Sequence, residues 1–218
     1  MFTPVQPKVW RWETPDPEDH WVMVGHLIQE DDHVVLVDPP MVPKLTEALM
    51  VLGGVSAIVL TTHDHTRGSR HVSEVFSCPV YIPTQANVER ITQAGIKNML
   101  LYDESTMLPA GLRACRCRVE LPMWQDPSHP YLDEMMLVTP TGAVACGDIV
   151  MGSADADCRL YGCPEGLNDP ADLQKVFASL NTFKRVLPSA VHTLLASHGV
   201  DIVGDLQSQL QLRMANLN

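Results

Sequence analysis

The chain is poor in basic charge. Its 218 residues carry 15 Lys and Arg against 26 Asp and Glu, a formal net charge of −11. That balance leaves no electrostatic footprint for nucleic acid, and anionic lipid headgroups would repel it. Long apolar runs are missing too: no stretch approaches the length that spans a bilayer, so no membrane partner is expected. Met1–Trp12 has neither a basic n-region nor an apolar h-region, so no secretory signal is visible and a cytoplasmic location is expected. Six cysteines occur, at 78, 115, 117, 146, 158 and 163, without a CxxC pair. Reduced thiols packed as small hydrophobes are the expectation, even for Cys158 and Cys163, which lie close in sequence. Repeats, low-complexity tracts and charged linkers are also lacking, which leaves one domain over residues 1–218.

What remains is a globular composition, 45% hydrophobic and 19% charged. β-rich runs and helical patterns alternate along it, as in layered α/β or α+β folds. Trp21–Gln29 and His33–Val37 read as strands around the polar turn Glu30-Asp31-Asp32, and Pro39-Pro40 stops the second. Leu45, Ala48, Leu49 and Leu52 fall at helical spacing before Gly53-Gly54. Ser56–Thr61 is apolar throughout its middle, the signature of a strand covered on both faces. A helix through Phe76, a strand over Pro79–Pro83 and a helix over Ala86–Ala94 follow. Leu112–Leu121, Glu134–Val138 and Ala143–Cys146 read as further strands, with Thr139–Gly142 as a turn. Arg113, Arg116 and Arg118 alternate on the first of these, which suits a solvated face. Asp169 caps a long helix that has Pro170 at its first position and an apolar stripe from Leu173 to Leu187. Thr193–Ser197 is a strand, and a last helix starts near Gly204.

Polar residues cluster where apolar strands end. Thr62-His63-Asp64-His65-Thr66-Arg67-Gly68 follows one strand, Gly147-Asp148 a second and His198-Gly199 a third. Strand ends held by a rigid sheet are where α/β proteins build sites. Imidazole and carboxylate converging from several ends suit a divalent metal. Taken singly, each cluster has a plain structural reading: a Gly-Asp turn, a loop histidine, a polar loop before a helix.

Together, in this order, they resemble the metallo-β-lactamase superfamily of hydrolases. VGHLIQEDDHVVLVDPP is similar to that family's first hairpin, which ends in an aspartate, here Asp38. LTTHDHTRGS is similar to its metal-binding loop, AVACGDIV to the strand before the bridging aspartate, and LLASHGVD to the strand before the final histidine. The resemblance runs from about Trp21 to Gly204 and implies a four-layer αββα sandwich. The metal loop, however, is short, and two registers are open. In one, His63 and His65 match the pair that holds the first ion, and Arg67 and Gly68 replace the ligands of the second. In the other, Asp64 and His65 match the Asp-His pair, as in a divergent branch whose loop reads Thr-x-x-Asp-His-x-Arg. The second lines up Gly68 and Phe76 without a further gap and is preferred here. It implies a site of Asp64, His65, Asp148 and His198 for about one ion per chain, zinc with iron or manganese as alternatives. His129 sits near the place of a further ligand histidine, and His63 lines the site in either register.

The resemblance also implies a reaction class. A bound divalent ion lowers the pKa of water and polarises an acyl or phosphoryl oxygen. That makes a hydrolase of small esters, thioesters, amides or phosphoesters. Asp64 or Asp148 would orient the water, and Arg67, whose guanidinium suits carboxylate or phosphate, would hold a small anionic substrate. The alternative is a non-catalytic binding protein with a vestigial metal site. His26 reads as structural, and His20, His33, His71 and His192 as surface or helix-face residues. The oligomeric state stays open, a homodimer included.

Overall fold

The computed structural model describes residues 1–17, 21–120, 131–153, 158–160, 163 and 167–217. Two large sheets lie face to face. The first has seven strands in sequence order: β1 (Thr3–Gln6), β2 (Val9–Pro15), β3 (Val22–Glu30), β4 (His33–Val37), β5 (Ala57–Val59), β6 (Val80–Pro83) and β7 (Met99–Tyr102). The first four pair antiparallel; β4 through β7 run parallel. Parallel neighbours need crossovers, and α1 (Leu45–Val51), α2 (Ser69–Phe76) and α3 (Val88–Gln93) supply them. The second sheet joins β8 (Arg113–Glu120), β9 (Tyr131–Val138), β10 (Ala143–Cys146) and β13 (Thr193–Ala196) in the order β13-β10-β9-β8. A small pair, β11 (Val150–Gly152) with β12 (Cys158–Leu160), flanks it, and α4 (Pro170–Val186) and α5 (Leu206–Ala215) cover it.

The strands are apolar on both faces because both faces are buried. Val35, Val37, Val59, Met135, Leu137, Ala145 and Leu195 fill the layer between the sheets. The alternate residues Leu36 and Ile58 meet Leu45, Leu49, Val72 and Ile91 of the first helix layer. Val138, Val144 and Cys146 meet Val176, Leu180, Phe183, Leu206 and Leu210 of the second. This is the expected αββα order of layers. No two cysteines are joined in a disulfide; 78, 117, 146 and 158 are buried, and 115 and 163 partly so. Among the described residues no helix is long and apolar enough to cross a membrane.

Local signals hold where they were strong. Asp169 caps α4 by accepting from Ala171 N and Asp172 N, with Pro170 in the first turn. Arg116 forms a two-pronged pair with Asp133 on β9, and Arg118 lies over the Tyr131 ring, 4.3 Å from its centroid. Three strands fall where the pattern carries no such signal. β1 contains Pro4, β2 ends in Pro15, and β7 is only four residues long; pairing with longer neighbours defines them. Arg67 lies just outside the helix that follows it. α2 starts at Ser69, and Arg67 precedes it with φ +34°.

The C-terminal ends of β4, β5, β10 and β13 meet at one rim. The loop after β13 is pressed against β11 there, through a bridge between Gly199 and Gly152. Gly199 has φ +81°, and a Cβ on it would lie 2.0 Å from Gly152 O. Left-handed backbone and a backbone neighbour that cannot yield both demand glycine. Gly199→Ala is therefore expected to destabilise the protein by about 2–4 kcal/mol, read from the urea midpoint. An unchanged midpoint would show that this contact is not tight.

Candidate metal centre

Three strand ends deliver His65, Asp148 and His198 to one point. Their ligand atoms all lie within 4.8 Å of one another. Asp148 Oδ1 stands 3.1 Å from His65 Nε2 and 3.2 Å from His198 Nε2. Donors at zinc-like bond lengths around a tetrahedron are separated by about 3.3 Å, so the spacing and the N, O, N chemistry fit a divalent ion.

Each histidine is held by its other nitrogen. His65 Nδ1 donates to Asp38 Oδ2 at 2.9 Å, and Thr61 N donates to Asp38 Oδ1 at 2.9 Å. His198 Nδ1 donates to Val22 O at 3.0 Å. With Nδ1 anchored, each Nε2 faces inward and would bind an ion through its lone pair, the orientation that metal-binding histidines use. Asp38, at the end of the first hairpin, thus acts through His65.

The loop carrying Asp148 is fixed from below by Glu134 of β9. Its carboxylate accepts from Asp148 N at 2.6 Å and Ile149 N at 3.3 Å, and Ser197 Oγ donates to Gly147 O at 2.6 Å. Burial, with Asp148 beside it, pushes the Glu134 carboxyl up to about 8. The sequence reading missed Glu134; its one signal is a carboxylate leading into the apolar run Met135–Val138. Asp148 moves the other way. Burial opposes its charge, yet His65 and His198 hold it well below the usual carboxylate range. Burial likewise opposes charge on His65, but the Asp148 and Asp38 carboxylates outweigh it and raise His65 to about 10.

Arg67 lies at the wall of this cluster. Nη1 donates to Val24 O at 2.8 Å and Asp38 O at 3.2 Å, and Nη2 stands 3.3 Å from His198 Nε2. Burial lowers its pKa while Asp38, Asp148 and Asp16 work to keep it charged. Its counter-charges are therefore Asp38 and Asp148 of the site together with Asp16.

The other expected residues are placed elsewhere. Asp64 is turned outward: its carboxylate pairs with Arg90 Nη1 of α3 at 2.5 Å and lies 3.7 Å from His63 Nε2. Its side chain is 40% exposed, whereas that of His65, one residue on, is 5% exposed. His65 faces in, while Asp64, held by Arg90, and the half-buried His63 beside it lie toward the surface. The four-ligand set thus reduces to three in this geometry. His129 lies outside the described residues.

Two comparisons by sequence, with protein-family models and with curated proteins, found no match. Solved structures do match along the whole chain. A metallo-β-lactamase from Pontibacter korlensis superposes with a TM-score of 0.66 at 17% identity, covering 100% of this chain and 98% of that one. The chain has the metallo-β-lactamase fold. A metallo-β-lactamase from Erythrobacter litoralis gives 0.66 at 20% identity, covering 99% and 94%. The metallo-β-lactamase FIM-1 from Pseudomonas aeruginosa, in its mono-zinc form, gives 0.64 at 17% identity, covering 100% and 93%.

A second buried cluster secures the strand end that carries His198. Asp201 Oδ1 accepts from His26 Nε2 at 3.1 Å and from Ala196 N at 2.9 Å. Arg11 Nη1 stands 3.5 Å from Asp201 Oδ2, and Arg11 Nη2 donates to Gly199 O at 3.0 Å. His26 thus has the structural place expected of it. Burial would raise the Asp201 carboxyl, but His26 and Arg11 lower it below the usual range. A depressed carboxylate stabilises the fold above its unfolded pKa, about 3.9, and that contribution disappears as pH falls through the folded value. Asp201→Asn should therefore lower stability by about 2–3 kcal/mol at pH 7, with the gap to wild type closing below about pH 4. Denaturant melts of both proteins across pH 3–7 give the comparison. A gap independent of pH would remove the carboxylate from the account.

Proposed function

We propose that the chain is a metal-dependent hydrolase that uses one divalent transition ion, zinc with iron or manganese as alternatives. His65, Asp148 and His198 would hold the ion, and the substrate would be a small anionic ester, thioester, amide or phosphoester. One observation carries this reading: two histidines anchored through Nδ1 both turn Nε2 toward a single carboxylate oxygen. His65 alone, protonated, would answer the Asp148 charge; a second imidazole nitrogen aimed at the same oxygen completes a donor set for an ion.

A bound ion supplies Lewis acidity toward an acyl or phosphoryl oxygen and makes water a nucleophile near neutral pH. The chain's own residues supply the rest. Asp38 and Val22 O fix the imidazole tautomers, and Glu134 fixes the Asp148 backbone. Arg67 adds a full positive charge at the wall, where a second ion would otherwise balance an anionic substrate. Three protein ligands leave positions for water and substrate, as catalytic sites need.

Arg67 also favours a second reading. Its Nη2 faces the same His198 nitrogen that would bind the ion, 3.3 Å away, and one lone pair cannot serve both. A guanidinium seated there permanently would make this a non-catalytic binding protein with a vestigial site.

Metal content separates the two. Protein purified without added metal, then reconstituted, should hold about one ion per chain by elemental analysis. His65→Ala and His198→Ala should empty it, while Asp64→Ala should leave it nearly unchanged. Asp38→Asn should weaken affinity about 10–100-fold through the loss of His65 orientation. A wild type that stays empty after reconstitution, with Arg67→Leu regaining an ion, would establish the vestigial site. Two ions per chain, or loss on Asp64→Ala, would contradict the three-ligand geometry.

A further inference from the structure

The two large sheets have four outer edges among the described residues, and three are closed. β1 has Pro4 in its middle and a register shift between Pro4 and Gln6, and Gln6 Nε2 is tied to Thr141 Oγ1 at 2.8 Å. β8 carries exposed Arg113, Arg116 and Arg118, and Glu104 Oε1 accepts from Arg116 N on that edge at 3.1 Å. β13 is covered by Ile202, which exchanges two backbone bonds with Leu194. Proline, charge, bulges and covering segments are how proteins block strand edges.

β7, Met99-Leu100-Leu101-Tyr102, has none of these. It pairs only with β6. The carbonyls of Asn98 and Tyr102 accept from Val80 N and Thr84 N. By strand alternation the backbone of Leu100 also faces β6, and the N–H and C=O of Met99 and Leu101 face outward. The side chains along this edge are apolar and open to solvent, Leu100 at 44% and Leu101 at 57%, and the following loop carries Met107 at 94%.

We propose that β7 is the contact by which two copies of this chain pair, antiparallel about a two-fold axis, joining their seven-stranded sheets into one. The sequence around β7 is complementary to itself in the one register that fits both the outward backbone groups and the flanking charges. Outward Met99 then exchanges backbone bonds with Leu101 of the second copy, and the symmetry repeats the pair. Leu100 falls opposite Leu100, in a pair without backbone bonds. Exposed Lys97 falls opposite exposed Asp103, once at each end. Asp103 is held at its strand end by Ser105 and Thr106, which donate to its Oδ1. Opposite charges flanking an apolar, self-complementary strand favour a second copy over an unrelated segment, because an isologous contact satisfies every group twice.

Sedimentation equilibrium and light scattering on the full chain over the micromolar range test this. Wild type should show a concentration-dependent monomer–dimer equilibrium. Leu101→Lys should weaken it at least 10-fold, and Lys97→Glu several-fold, with unchanged circular dichroism; Lys97 is exposed, so its substitution spares the fold. Register is tested by cross-linking. Facing residues in such a pair have Cα atoms about 4.5 Å apart, within disulfide reach. Leu100→Cys should thus form a disulfide-linked dimer on mild oxidation, while wild type and Leu101→Cys do not. A monomeric wild type, a dimer that both charge variants leave intact, or a dimer in which Leu100→Cys fails to link would each overturn the proposal.

Discussion

A carboxylate sunk into the rim between two sheets must be met by positive charge or by a cation, and Asp148 sets that condition for the rest of the site. Its side chain is only 14% exposed, and its Oδ1 is approached by two imidazole nitrogens. Removing such a charge from water costs several kcal/mol, so the groups around it have to be arranged before it can be buried. His65 is oriented by Asp38, and Asp38 in turn by Thr61 N at the end of β5. His198 is oriented by Val22 O on β3. Arg67 adds the remaining charge from the loop between β5 and α2. His65 and Arg67 follow β5, Asp38 ends β4 and His198 follows β13, and only the stacked sheets bring those ends together.

The sheets do this because their strands are pinned on both faces, and the loops are pinned in turn. Glu134 carries the backbone of Asp148, and the Arg11–Asp201–His26 cluster carries the turn after His198. Two of these supports are carboxylates buried away from the centre itself. Their placement explains why polar groups lie so deep in a chain whose core is otherwise largely apolar: they satisfy backbone donors that a sharply turning loop would leave unpaired.

Much of this architecture is legible from residue patterns. The apolar runs at 33–37, 56–61, 143–146 and 193–197 are strands buried on both faces, and the polar clusters that end them are the site. The Asp169-Pro170 start of α4 follows from local chemistry alone. Other features depend on contacts between distant residues. Which of His63, Asp64 and His65 faces inward is decided by a turn of a few residues and by Arg90 on α3, 26 positions downstream. Glu134 looks like a strand residue until Asp148 is placed above it. β7 has no pattern of its own, since four residues are too few to show a period, and β6 alone defines it.

The proposed function needs one ion between two imidazoles and one carboxylate, all from strand ends. X-ray absorption at the metal edge of the loaded protein reads that ligand set. The expected spectrum has nearest neighbours of nitrogen and oxygen without sulfur, with the outer-shell scattering of two imidazole rings. A shell with one imidazole or none, or with a sulfur ligand, would contradict it.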